Sequence, residues 1–145
     1  MATKRAYIEE QTYEKISTVY AGKQQGLERI IDNFILLRRF ALANLRDVFT
    51  QEEKNGMLSA FNGTIIPTGW GPTPKSLLRG QMEDAEIYDG GSTAYSYQLP
   101  ELLEKLDNLT EADSLFLLEE IHRYWNEAPF TEMRDLTTFL TADWK

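Results

Sequence analysis

The sequence predicts an all-α protein: a single domain, residues 1–145, of about four to six helices around a long apolar central helix, with an irregular Gly/Pro-rich insertion at residues 63–97. Three observations predict it. Apolar residues recur at helical spacing over most of the chain, Thr-led cap patterns open two of the periodic segments, and Gly and Pro gather in the middle instead of punctuating alternating strands. A length of 145 residues suits one domain able to bury a core without metals or crosslinks.

Taken in order, residues 8–21 place Tyr13, Ile16, Val19 and Tyr20 on one helical face before Gly22 interrupts. From Leu27 to Val48 the pattern is strongest: Leu27, Ile30, Ile31, Phe34, Leu37, Ala41, Leu45 and Val48 trace a stripe along a helix of about five or six turns. On a wheel of about 100° per residue the polar residues take one side, yet Arg38 falls in the middle of the stripe while Leu36 and Phe40 emerge among the polar residues. A helix apolar nearly all round is either enclosed by its own domain or buried against another chain. Arg38 is expected to be paired, because a charge in an apolar stripe is costly unless its guanidinium meets a carboxylate or carbonyls. Neither Asp32 nor Asp47 is at i±3 or i±4 from it, so the acceptor is expected in the C-terminal half or in a second subunit.

Thr50-Gln-Glu-Glu53 matches the capping box, opening a helix that carries Met57, Leu58 and Phe61 and stops at Asn62-Gly63. In the insertion, only a short strand at residues 64–66 and a helical turn at residues 76–82 are expected to be regular. Pro100 suits the first turn of a helix through Leu102, Leu103 and Leu106. Thr110 caps a helix over about residues 111–126, and a last short helix is expected at residues 131–143, after Pro129.

Composition narrows the function classes. Apolar residues at 42% and charged residues at 26% are ordinary for a globular chain and argue against disorder. With no cysteine there is no disulfide framework, thiolate metal site or thiol nucleophile, and a cytoplasmic location is expected. The N-terminus has no apolar run after its basic residues, and no segment approaches a bilayer span, so no membrane association is expected. Charge is polarised: up to residue 46, eight Lys/Arg against five Asp/Glu give +3, leaving −11 for the remainder of a chain whose net is −8. Such asymmetry is usually solvated helix surface, though it can orient the molecule against a partner or a second copy.

The chemical motifs are near misses. Gly69-Trp-Gly-Pro-Thr-Pro-Lys75-Ser76 spells the phosphate-binding loop GxxxxGKS except for Pro74, and proline supplies neither the N–H nor the positive φ that cradles phosphate. A Gly/Pro-stiffened loop presenting Trp70 is the better reading. Glu119-Glu-Ile-His122 holds half of a di-iron ligand set, but His122 is the sole histidine and the motif is needed twice. His122 falls at the border between a face with Glu119, Glu120 and Arg123 and one with Leu117, Leu118 and Ile121, which suits a boundary histidine more than a base or ligand. No Gly-x-Ser-x-Gly elbow accompanies it, and Glu83, Asp84 and Glu86 are read as solvated. Lys4-Arg5 ahead of a short helix and a long one follows loosely the order of a ribbon-helix-helix module, but Glu9 and Glu10 oppose phosphate and the acidic remainder repels a polyanion.

These readings converge on a non-catalytic helical protein acting through protein contacts, a small regulator or accessory factor that self-associates and also meets an unidentified protein partner. Its interaction residues are expected to include Arg38, Phe40, Trp70 and His122, with no catalytic, metal or cofactor residue. A DNA-binding regulator and an enzyme using His122 with neighbouring carboxylates are the disfavoured alternatives.

Overall fold

The computed structural model of the chain describes residues 9–16, 23–64 and 73–126. Every regular element among them is an α-helix: α1 (Glu10–Ile16), α2 (Lys23–Arg46), α3 (Gln51–Ala60), α4 (Pro74–Asp89), α5 (Gly91–Tyr95), α6 (Leu99–Asn108) and α7 (Glu111–Asn126). The chain divides into two compact units, residues 1–38 and 39–145, with the boundary inside α2. In the first unit Ile16 of α1 is buried.

The second unit holds a core to which Leu42 and Leu45, Met57 and Leu58, Leu78 and Met82, Leu102 and Leu106, and Leu117, Leu118 and Ile121 contribute from α2, α3, α4, α6 and α7. Within it α4 packs against α6 and α7, and α3 packs against α5 and α4. Each fully buried aliphatic side chain removes enough apolar surface from water to contribute about 1.5–3 kcal/mol before entropy is counted.

The local signals around α3 are realised in full. Thr50 Oγ1 accepts the Glu53 N–H at 3.2 Å, and Glu53 Oε2 accepts the Thr50 N–H at 2.9 Å, the reciprocal capping box. At α7, Thr110 Oγ1 accepts the Asp113 N–H at 3.0 Å, as an N-cap should.

The insertion expected to be irregular is largely helical where described. Residues 74–89 form α4 and residues 91–95 form α5, which is why the described helices number seven and not four to six. Thr73 caps α4 by accepting the Ser76 N–H at 3.3 Å, and Pro74 occupies the first turn, where a missing N–H costs nothing. Gly90 ends α4 in the left-handed conformation at φ 60° and starts α5 directly. Among the described residues, Pro74 and Gly90, which looked like loop punctuation, therefore mark helix ends. Of the expected strand at residues 64–66, Thr64 is in no strand, and the other two positions lie outside the described residues. The same is true of the expected helix at residues 131–143.

Residues Lys23–Arg46 form the long helix α2, but the apolar stripe read along it is not enclosed along its length. Ala41, Leu42 and Leu45 are buried, whereas Ile30, Ile31, Phe34 and Leu37, all placed on the inward stripe from the sequence, are exposed. Helical spacing is the same for a stripe that meets its own core and one that meets another chain, so periodicity located the helix without showing which part is covered.

Candidate functional site

The most unusual surface among the described residues is built by α2 itself. Ile30, Ile31, Phe34, Ile35, Leu36, Leu37 and Phe40 are exposed, from 37% at Ile30 to 62% at Phe40. At about 100° per residue, the six other than Leu36 sweep an arc of about 220°. Leu27, Ile31, Phe34, Arg38, Ala41 and Leu45 advance along it in alternating steps of four and three. That seam is buried at Ala41 and Leu45 and open at Ile31 and Phe34, with Arg38 half-buried at the transition. Scattered exposed apolar residues are ordinary, but seven large ones within three turns form a contiguous patch of the kind that marks a contact site.

Polar residues border the arc in a particular order. Glu28, Arg39 and Asp32 lie within about 40° of one another on one flank, and all three are exposed. Arg29 and Asn33 stand on the other flank. A smaller exposed apolar pair, Ile87 and Tyr88, lies at the end of α4 beside Asp84 and Asp89.

Of the four residues expected to make interactions, Arg38 and Phe40 belong to this helix. Trp70 lies outside the described residues, as do Lys4 and Arg5. His122 is half-buried on α7, and among the described residues no group of three or more His, Asp or Glu could hold a metal ion. Sequence reasoning placed Ile30, Ile31, Phe34 and Leu37 on one apolar stripe, to be covered either by their own domain or by another chain. The signal for their exposure was already there in Leu36 and Phe40, which widen the apolar arc beyond what one core can cover.

The other motif residues have structural employment. The Lys75 ammonium donates to the Asp107 carbonyl at 3.0 Å, and the Lys75 backbone N–H donates to Glu111 Oε2 at 3.0 Å, joining the start of α4 to α6 and α7. Arg79 pairs with Asp107 and, at 3.0 Å, with Glu83. Glu86 accepts both the backbone N–H and the hydroxyl of Ser92 at 2.7 Å, and these bonds hold its carboxyl below the ordinary range. Of the three acids read as solvated, only Asp84 is fully so: Glu83 and Glu86 are partly buried and bonded. Glu120 is also buried, although the wheel put it on the polar face, and it accepts from Arg123 at 3.1 Å.

Two polar features inside the second unit look chemical and are better explained by packing. Glu53 is almost completely buried and receives the Lys105 ammonium at 2.8 and 3.0 Å, so the carboxylate that caps α3 also ties it to α6. The Tyr97 hydroxyl is buried without a hydrogen-bond partner, and burial together with the nearby Glu86 pushes its pKa up to about 12. Its ring lies where a Gly56 side chain would be, because a Cβ there would clash with Tyr97 Cε1. No helix among the described residues is long and apolar enough to cross a membrane.

The site and fold therefore define an all-α protein with an open apolar helix surface. The chain matches no protein-family model, no curated protein and no solved structure.

Proposed function

We propose that this chain is a non-catalytic helical protein that works through protein contacts and self-associates through α2, as a small regulator or accessory factor. The observation that carries this reading is the run of seven exposed large apolar residues between Ile30 and Phe40. A second copy or another protein covering that run gains the hydrophobic stabilisation that the chain itself leaves unrealised. The absence of cysteine suits a reducing compartment, and we place the protein in the cytoplasm.

Light scattering on the full chain tests the reading. The expected result is a dimer or larger assembly at micromolar concentration, shifted to monomer by Leu37→Glu with helix content unchanged in circular dichroism. A strictly monomeric mass at the highest soluble concentration, or an assembly indifferent to Leu37→Glu, overturns it.

A further inference from the structure

We infer that Lys54 is an acylation site: its amine takes an acyl group from an activated, phosphate-bearing donor, and the product is a neutral amide on a covered stem. This goes beyond the self-association of α2 and does not depend on it. The first argument is an imbalance among the buried charges. Glu53, Lys54 and Glu120 are the buried charged side chains among the described residues, at 2%, 5% and 6% exposure. Both carboxylates have a cation, Lys105 for Glu53 at 2.8 Å and Arg123 for Glu120 at 3.1 Å. Lys54 has neither a hydrogen-bond acceptor for its ammonium nor an ion pair among the described residues. Its own helix supplies none, because the positions three and four away are Thr50, Gln51, Met57 and Leu58, with no carboxylate. The adjacent Glu53 is already engaged by the Thr50 N–H and by Lys105.

The second argument is chemical. Burial pushes the Lys54 amine below the ordinary lysine range, with the carboxylate of Asp47 opposing the shift and the guanidinium of Arg46 adding to it. More of the side chain is therefore free amine, the form that attacks a carbonyl carbon. The enclosed polar atoms that lack a partner do not include Lys54 Nζ, so its tip reaches water while its stem is covered. Arg46 and Asp47 are exposed at 50% and 81%, and Arg46 favours the approach of an anionic donor. In the reaction the neutral amine adds to the acyl carbon and a carbon–nitrogen bond forms. The bond from that carbon to the phosphate oxygen, or to sulfur in a thioester, breaks. Phosphate or thiolate leaves with the electron pair, the nitrogen gives its proton to water, and nothing is oxidised or reduced. The amide carries no charge, so the unpaired buried cation is removed.

The test exposes the full chain to acetyl phosphate, and in a second arm to acetyl-coenzyme A, and follows each lysine by mass spectrometry of its peptides. Three lysines serve as references: the exposed Lys15, Lys75 held by the Asp107 carbonyl at 3.0 Å, and Lys105 held by Glu53. In the folded chain Lys54 should be acetylated at least about threefold faster than each of them, and in urea at the same rate. A preference in one arm alone identifies the donor. Asp47→Asn removes the opposing charge from an exposed position, so it should speed acetylation of Lys54 about twofold, the scale of an exposed charge contact, and leave Lys75 unchanged. Acetylation of Lys54 no faster than at the references, or a preference that persists in urea, overturns the proposal, as does slower acetylation of Lys54 in Asp47→Asn.

Discussion

At the scale of single residues, the contact between Gly56 and Tyr97 shows how a backbone position can be dictated by a distant side chain. A glycine inside a helix ordinarily weakens it by about 1 kcal/mol relative to alanine. Here alanine is excluded from that gain, because its methyl would enter the space of the Tyr97 ring. Gly56→Ala is expected to destabilise by about 1–3 kcal/mol in chemical denaturation, the range for overpacking. The Gly56→Ala/Tyr97→Leu double variant should recover part of the loss. Tyr97→Phe should be neutral or stabilising by up to about 1–2 kcal/mol, since it removes a buried hydroxyl that has no partner.

The same residue sets an alkaline limit. Burial pushes its phenol up to a pKa of about 12 from the ordinary value of 10.0, so the folded state holds the proton more tightly than the unfolded chain. That stabilisation is complete below pH 10 and is lost as the pH rises from 10 towards 12. Denaturation midpoints measured across this window should fall more steeply for the parent than for Tyr97→Phe.

At the scale of elements, α3 depends on one carboxylate with two duties. Glu53 completes the capping box and receives Lys105 from α6, so the start of one helix is coupled to the last turn of another. Thr50→Ala should cost about 1 kcal/mol as a lost cap, and Lys105→Met about 1–3 kcal/mol by leaving a buried carboxylate without its cation. Because both act on Glu53, the double variant is expected to differ from the sum, and a double-mutant cycle measures that difference. Only the first of these duties was legible in the sequence. A cap is closed within four residues and can be read from spacing, whereas the bond to Lys105 joins positions 52 apart and depends on the packing of α3 and α6. The same distinction explains α4. Thr73, Pro74 and Gly90 are good helix ends, but read without the helix between them they resemble the punctuation of a loop.

At the scale of the whole molecule, the all-helical class was legible because it needs only the helical period. Which apolar residues are covered was not legible, since α2 carries the same period where it is buried, at Ala41 and Leu45, and where it is open, at Ile31 and Phe34. Self-association would make stability depend on concentration, because a partner that binds only the folded chain stabilises it by mass action. The midpoint of thermal unfolding should therefore rise as the protein is concentrated, and Leu37→Glu should abolish that rise. The loop resembling a nucleotide site is expected to give no heat with ATP and magnesium in titration calorimetry. Pro74 begins a helix, and Lys75 is already engaged by Asp107.

The indole of Trp125 donates to the Leu58 carbonyl at 3.0 Å, a bond that connects α7 to α3 across 67 positions of chain. Closing so long a loop sacrifices more chain entropy than forming neighbouring helix pairs, and it is rewarded only once α7 has docked. The order of events in refolding follows from this. Helical signal should grow first as α4 to α6 assemble among near neighbours, and the environment of Trp125 should become native afterwards. In a stopped-flow experiment on Trp70→Phe/Trp144→Phe, which leaves Trp125 as the sole tryptophan, fluorescence should lag the far-ultraviolet dichroism. Coincident traces would mean that α7 docks in the same step that forms the other helices.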